Sequence, residues 1–161
     1  MNSLHAFEER VVFGRNIPPQ VNACLQEAVA CANDFERSRE LLYRAREMKP
    51  DQLEIYIALY KICFYRGCFD EAEQVALDAL QQSAKDAGFD ADWQQLNAGS
   101  TDWAVDEGPA RLYLYSLKAL AFIRLRKGQH DLARQVLNKL QQLDLNDLVG
   151  GSVIMDLAQA L

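Results

Sequence analysis

With 161 residues, half of them hydrophobic, the chain is long enough to bury the core of one domain. Its net charge of −6 and the lack of a basic stripe argue against a nucleic-acid-binding protein, which must neutralise phosphates. No apolar run approaches the roughly 18 residues of a membrane span, and the acidic start lacks the basic lead of a secretory signal. We therefore expect a cytoplasmic protein without membrane contacts.

The four cysteines, Cys24, Cys31, Cys63 and Cys68, form no CxxC pair. Two disulfides or one zinc site would be open to four cysteines, but zinc sites favour short fixed spacings. We therefore expect reduced thiols, no metal site and no other cofactor.

The negative charge is concentrated in one segment. Between Asp86 and Ala110 lie six acidic residues and no lysine or arginine, which leaves 17 acidic and 17 basic residues elsewhere. These acidic residues lack the spacing and closing glutamate of an EF-hand, which favours a solvated acidic loop over a calcium site.

In chain order, the first predicted element is a short amphipathic helix over residues 4–13, with Ser3 as its N-cap. Gly14 and the pair Pro18-Pro19 then break the chain, and Pro19 suits the first position of the next helix. Further helices are predicted at about 19–32, 34–48, 51–66 and 69–86.

Residues 53–84 predict two helices joined by a tight turn at Gly67, which is free to adopt a left-handed backbone. In both helices apolar residues recur at i, i+3, i+4 and i+7: Tyr56, Leu59, Tyr60, Cys63 and Ala72, Val75, Ala76, Ala79. Such a pair cannot bury its apolar faces alone, so it requires neighbouring pairs.

The same pattern recurs at fixed offsets along the chain. One offset toward the N-terminus matches Phe69 with Phe35, and Gly67 with Asn33, which we expect to adopt the same positive φ. A longer offset toward the C-terminus matches Gly67 with Gly128. The distance from Gly67 to Gly128 is longer than the distance from Phe35 to Phe69. The pattern therefore contains an insertion between the second and third units.

The second unit resembles the tetratricopeptide repeat (TPR) family, whose period of about 34 residues is the offset between Phe35 and Phe69. The pattern that carries the resemblance is Tyr56-x-x-Leu59-Tyr60-x-x-Cys63-x-x-x-Gly67-x-Phe69-x-x-Ala72-x-x-x-Ala76-x-x-Ala79. The third unit, from Leu117 through Gly128 to Leu140, is similar to it too. The resemblance implies an all-α, TPR-like α-solenoid in a single domain over 1–161. Its parts are repeats at about 19–52, 53–86 and 114–147, an insertion at about 87–113 and a capping helix at about 152–161.

Both tryptophans of the chain, Trp93 and Trp103, lie in the insertion, where Asp92 is expected to cap a short turn. We expect the aromatic residues to anchor the insertion on the outer face of the repeats. In two alternatives, the insertion folds into the groove of the repeats, or Trp93 and Trp103 form a second binding surface.

The third pair of helices is predicted at about 109–127 and 129–143. Pro109 opens an unusually long first helix. For the capping helix we expect Ser152 as N-cap and one apolar face made of Val153, Leu157 and Leu161.

Candidate catalytic residues are scarce. His5 and His130 lie in separate units, and no GxSxG, HExxH, GxxxxGK[ST] or GxGxxG motif occurs. Because an enzyme needs a nucleophile, an acid–base pair or a metal cluster, we predict a protein without catalytic activity.

The first helix of each unit lines a concave groove in TPR proteins, so the resemblance implies a partner-binding stripe on these helices. Its predicted residues are Glu54, Ile57, Lys61, Phe64 and Tyr65 in the second unit and Tyr115, Lys118 and Phe122 in the third. Aromatic anchors within a polar rim are typical of peptide-binding hot spots. In the alternative, Phe64 and Phe122 belong to the core. Glu27 would repel a chaperone C-terminal carboxylate, which argues against a co-chaperone clamp.

These expectations favour a non-catalytic scaffold or adaptor that binds another protein or peptide in the groove. The residues GPARLYLYSLKALAFIRLRKG at 108–128 and GGSVI at 150–154 also resemble small bacterial repeat proteins encoded among nitrogenase accessory genes. An accessory or assembly factor for a bacterial metalloenzyme system such as nitrogenase is therefore one alternative. Another is a structural repeat protein that forms a homo-oligomer through exposed repeat faces.

Overall fold

A computed structural model describes residues 17–161, and over that range the chain has seven α-helices, one short 3₁₀ helix and no β-strand. The helices are α1 (Pro19–Ala30), α2 (Phe35–Met48), α3 (Leu53–Arg66), α4 (Phe69–Ala87), α5 (Pro109–Arg126), α6 (His130–Leu143) and α7 (Gly151–Gln159), with the 3₁₀ helix at Trp93–Gln95. The predicted all-α class is confirmed. The helix expected at 4–13, together with His5, lies outside the described residues.

Helix positions follow the offsets that the sequence predicts. The second helices of the three pairs begin at Phe35, Phe69 and His130, which are equivalent positions of the repeating pattern. α5 begins at Pro109, ahead of the repeat boundary expected near 114. Proline has no N–H to leave unpaired at a helix start, so it opens α5 as Pro19 opens α1.

The turns after α3 and α5 share one hydrogen-bond pattern. After α3, the Gly67 N–H donates to Phe64 O at 3.0 Å, and the Cys68 N–H donates to Cys63 O at 2.8 Å. The equivalent bonds after α5 run from Gly128 N–H to Leu125 O at 3.0 Å and from Gln129 N–H to Arg124 O at 2.9 Å. Both glycines are left-handed, with φ of +86° and +79°, as the sequence predicts.

The turn between α1 and α2 is built differently. The prediction that Asn33 adopts a left-handed backbone is wrong, since no residue of this turn has a positive φ. Two i→i+3 backbone hydrogen bonds, accepted by Val29 and Cys31, turn the chain instead. Asp34 then caps α2 through a side-chain hydrogen bond of 3.2 Å.

Replacing Gly67 with valine should destabilise the protein by roughly 1–2 kcal/mol, because a β-branched side chain disfavours a φ of +86°. No atom lies within 4 Å of the position that a Cβ would take, so the cost is backbone strain and not a clash. Urea denaturation followed by circular dichroism measures this loss. Gly67→Asn is the control, since asparagine tolerates the left-handed region and should cost less. Equal losses for the two variants would contradict the strain explanation.

The chain divides into two compact units, and the boundary falls between Val75 and Ala76, inside α4. In the first unit, α2 packs against both α1 and α3. The core of this unit contains fully buried aliphatic side chains, among them Leu25, Leu42 and Leu59. Burial of these side chains holds the first unit together.

In the second unit, α5 packs against α6, and α7 packs against both. The largest fully buried side chains of its core include Tyr113, Leu117 and Leu120. α7 comes close to α6 at Gly151, where a Cβ would lie only 2.6 Å from Cδ2 of Leu140. This close approach favours glycine at the start of α7.

The predicted details of the last helix need two corrections. Ser152 is not its N-cap, because Gly150 holds that position and Ser152 donates both its hydroxyl and its backbone N–H to the Asp147 carboxylate. The buried face is also not the predicted one, since apolar residues at helical spacing occur on two faces of this short helix. The side chains that pack inward are Ile154, Met155 and Ala158, and the exposed ones are Val153, Leu157 and Leu161.

Candidate functional site

Five of the predicted groove residues lie on α3 in the first unit. Tyr65 is 55% exposed, and its ring meets the ring of Phe64 edge-on at a centroid distance of 5.6 Å. Phe64 is half-buried and also contacts the ring of Phe69 at 5.6 Å. Of the other three, Glu54 and Lys61 are half-buried, and Ile57 is buried. The five residues therefore present one exposed aromatic ring, that of Tyr65, beside half-buried aromatic and charged side chains.

The other three predicted groove residues, Tyr115, Lys118 and Phe122, lie half-buried on α5 in the second unit. Nζ of Lys118 donates to the carbonyl of Val149 at 2.8 Å and lies 5.9 Å from the centre of the Tyr115 ring. Its ammonium therefore holds the segment that precedes α7. α3 and α5 belong to different compact units, so a patch shared by the two helices stays a prediction.

Sequence reasoning missed Arg111, which stands one helical turn before Tyr115 on α5. Its guanidinium lies 5.3 Å from the centre of the Tyr115 ring and donates to the carbonyl of Leu148 at 2.8 Å. Arg111 and Lys118 thus bind two successive carbonyls of the segment between α6 and α7. The proximity of Arg111 to Tyr115 could have been predicted, because residues i and i+4 share a helix face, but its contact with Leu148 could not.

An aromatic cluster holds the insertion against α5 within the second unit. Trp103 is 5% exposed, and its ring lies 5.0 Å from that of Phe89 and 6.1 Å from that of Tyr113. The indole N–H of Trp103 donates to Asn97 O at 3.0 Å, and the Tyr113 hydroxyl donates to Ala91 O at 2.8 Å. Burial raises the pKa of Tyr113, and nearby aspartates add to the shift. The hydroxyl therefore stays a hydrogen-bond donor at neutral pH.

The other tryptophan, Trp93, is half-buried in the 3₁₀ helix. Asp92 caps this helix by accepting the Gln94 N–H at 3.0 Å, as the sequence predicts. Just after it, the carbonyl of Leu96 accepts a hydrogen bond from Nζ of Lys139 at 2.7 Å. A cation of α6 thereby holds the insertion from the other side.

Residues 144–150, between α6 and α7, form a segment that its own side chains fix. Asp144 is almost fully buried, and its two carboxylate oxygens accept the N–H groups of Leu148 and Val149, each at 2.9 Å. The Ser152 hydroxyl, through its hydrogen bond, lowers the pKa of Asp147 in the same segment. Sequence reasoning did not single out either aspartate.

A cavity of about 200 Å³ lies between the insertion and the segment 144–150. Its larger apolar lining residues are Trp103, Leu143, Leu145 and Leu148, and its polar lining residues are Thr101, Asp102, Asp144 and Asn146. Leu145 is 76% exposed and Leu148 is 40% exposed, so both present apolar carbon to water beside the cavity. The second unit therefore contains an apolar surface that the sequence did not predict.

The ion pair between Arg39 and Glu71 in the first unit is a partly exposed structural contact. Glu71 accepts hydrogen bonds from Nε of Arg39 at 2.7 Å and from the Tyr43 hydroxyl at 2.8 Å, which ties α2 to the start of α4. Burial, and to a smaller extent the charge of Glu71, raises the pKa of the Cys63 thiol to about 12. Cys63 therefore stays protonated at neutral pH, and a protonated thiol is a poor nucleophile.

The described residues were also compared with the requirements of disulfides, metal sites and membrane spans. All four cysteines are free thiols. Within residues 17–161, no group of three histidine, cysteine or acidic side chains is placed to hold a metal ion. None of the described helices combines the length and the apolar character that crossing a membrane requires.

Comparison with known proteins gives one informative similarity. The chain matches no protein-family model and no solved structure. It is 26% identical over 117 residues to an uncharacterized 19.8 kDa protein in the nifW 5′ region of Azotobacter chroococcum mcd 1. The similarity covers 71% of this chain and 66% of that protein, so the chain spans just under two thirds of the relative's length.

Proposed function

We propose that this protein is a cytoplasmic, TPR-like helical repeat scaffold that binds another protein or peptide and has no catalytic activity of its own. The observation that carries the proposal is the repetition of one turn. Gly67 and Gly128 are both left-handed, and both turns have the same two backbone hydrogen bonds. The helix that follows each glycine begins two positions after it, at Phe69 and at His130. Equivalent turns at the spacing of the pattern are what helix-turn-helix repeats produce.

The aromatic residues of the first helices are the best candidates for the binding surface. Phe64 and Tyr65 on α3 leave ring surface exposed, and Tyr115 and Phe122 on α5 are half-buried. Aromatic side chains supply large contact area at a small cost in conformational entropy, which is why they dominate peptide-binding hot spots.

The buried polar chemistry of both units also fits a binding role better than catalysis. The thiol of Cys63 stays protonated, as its raised pKa requires. Both carboxylate oxygens of Asp144 accept hydrogen bonds from backbone N–H groups. An activated nucleophile or a general base would need the opposite arrangement, with a group left available to a substrate.

Replacing Phe64 or Phe122 with alanine should each weaken partner binding by roughly 1–3 kcal/mol, because an aromatic anchor is lost from the interface. The partner is first isolated by affinity pull-down and identified by mass spectrometry. Isothermal titration calorimetry with the purified partner then measures the affinity of each variant.

Leu132→Ala serves as a control, since Leu132 is an exposed leucine on α6, the second helix of its pair. Its affinity should equal that of the wild type. If Phe64→Ala and Phe122→Ala bind as tightly as Leu132→Ala, the stripe on the first helices is not the binding surface.

A second candidate role is that of an accessory or assembly factor in a nitrogenase system. The observation that favours it is the name of the relative, which places that protein in the nifW 5′ region. A scaffold that brings assembly proteins together would combine this role with the binding role. Deletion of the gene should then slow growth on dinitrogen and leave growth on ammonium unchanged. Equal growth of mutant and parent on dinitrogen would remove this candidate.

A further inference from the structure

We propose that the second unit has a docking pocket for one apolar anchor residue within a basic segment of a partner protein. The pocket is the cavity lined by Trp103, Leu143, Leu145 and Leu148. This inference rests on the proposed function, a protein-binding scaffold, but it assigns binding to a surface other than the stripe on the first helices.

The size of the pocket fits one side chain. A cavity of about 150 Å³ in a protein core accepts a ligand the size of benzene. The cavity here has about 200 Å³, and the buried Trp103 is one of its lining residues. A leucine, methionine or phenylalanine side chain matches its volume and the apolar part of its lining.

The apolar rim of the pocket is held in a fixed position. Leu145 and Leu148 are 76% and 40% exposed, although they lie in the short segment 144–150. Asp144 binds two N–H groups of this segment, and Arg111 and Lys118 bind two of its carbonyls. The backbone at Leu148 therefore does not need to be ordered when a partner binds, which lowers the cost of binding.

The charge around the pocket selects a basic partner. Its lining comes from two stretches, 86–110 and 140–161, which contain six and three acidic residues and no lysine or arginine. Four cations bind these stretches by donating to a backbone carbonyl there: Arg111, Lys118, Arg134 and Lys139. Four cations against nine acidic residues leave the net charge of the two stretches negative, and the lining itself contains Asp102 and Asp144 but no lysine or arginine. Lysine or arginine beside the anchor residue would be attracted, and an acidic segment would be repelled.

The test uses random dodecapeptides displayed on phage and selected on the full chain. Enriched peptides are synthesised, and their affinities are measured by isothermal titration calorimetry at low and high salt. We expect the enriched sequences to carry a net positive charge and one large apolar residue. Their affinity should fall as salt rises.

Matched variants assign these peptides to the pocket. Leu148→Ser should weaken binding by roughly tenfold or more. Leu157→Ser should change it by less than about twofold, because Leu157 is similarly exposed, at 46%, but lies on α7 outside the pocket lining. If Leu148→Ser does not fold, Leu145→Ser replaces it, since the side chain of Leu145 is 76% exposed.

A second pair of variants tests the charge. Asp102→Asn keeps an oxygen that can accept the Ala104 N–H, as the carboxylate does at 3.1 Å, but removes a charge from the pocket lining. It should weaken binding several-fold and reduce the salt dependence. Asp131→Asn removes an exposed charge at the start of α6, outside the lining, and should have little effect.

The outcomes separate the pocket from the proposed function. Enriched peptides that are acidic, or that bind Leu148→Ser and Leu157→Ser equally well, would overturn the pocket. If such peptides instead lose affinity for Phe64→Ala or Phe122→Ala, the scaffold function stands without the pocket. If no peptide is enriched, the pocket proposal fails, and the scaffold function is decided by the pull-down and the affinities of Phe64→Ala and Phe122→Ala. Peptide-independent dimerisation that Leu148→Ser abolishes would show that a second copy of the chain occupies the pocket, and it too would overturn the proposal.

Discussion

Replacing Leu120 with alanine should lower the free energy of unfolding by roughly 2–5 kcal/mol, and Leu59→Ala should cost about as much. Both side chains are completely buried, Leu59 in the core of the first unit and Leu120 in that of the second. Truncation removes apolar surface from the core and leaves a cavity that the surrounding helices fill only in part. The total stability of a protein is about 5–15 kcal/mol, so either change removes a large share of it.

Urea denaturation, monitored by circular dichroism, measures both losses. Leu132→Ala is the matched control, since the same truncation on the exposed face of α6 should change stability by less than about 0.5 kcal/mol. A loss of less than about 1 kcal/mol for Leu120→Ala would mean that α5 does not pack as described. Because Phe64 contacts Phe69 and Tyr65 with its ring, Phe64→Ala should cost some stability, but less than Leu59→Ala.

The apolar periodicity of the sequence predicts the helices of this fold well. Apolar residues at helical spacing identify the interior face of α3, and Gly67 and Gly128 mark the ends of α3 and α5. This succeeds because the period of a helix and the preference of glycine for positive φ are local properties of the chain.

Local rules also explain the two mistakes at helix ends. Asn33 is able to adopt a left-handed backbone, but the chain turns through i→i+3 hydrogen bonds and does not need one. Ser152 is a good N-cap by type, but Gly150 adopts the left-handed conformation at that position, and the carboxylate of Asp147 accepts the Ser152 hydrogen bonds. In both cases, groups two or more positions away determine how the helix end is formed.

The pocket of the second unit could not be predicted from the sequence. The sequence predicts Lys118 as a cation of the binding groove on α5. Its ammonium instead binds the carbonyl of Val149, 31 residues further along the chain. Arg111 and Lys139 likewise bind carbonyls 37 and 43 residues away. A backbone carbonyl carries no sequence signal, since every residue has one. Contacts of this kind become visible only when the fold is known.

Asp144 is the one residue within the described chain whose side chain accepts the N–H groups of both Leu148 and Val149. Replacing it with alanine should lower the free energy of unfolding by roughly 2–4 kcal/mol, because two N–H groups lose a charged acceptor. Asp144→Asn keeps one acceptor oxygen, so it should lose about half as much. Urea denaturation compares the two variants with the wild type.

Hydrogen exchange tests the same assignment at single residues. The amides of Leu148 and Val149 donate to Asp144, and both should exchange faster in Asp144→Ala than in the wild type. Amides in the middle of α3, in the first unit, should be unaffected. Since Leu148 forms part of the pocket rim, peptides selected on the wild type should also bind Asp144→Ala more weakly. Unchanged exchange at Leu148 and Val149 would mean that Arg111 and Lys118 alone hold the segment, and that Asp144 is not needed to shape the pocket.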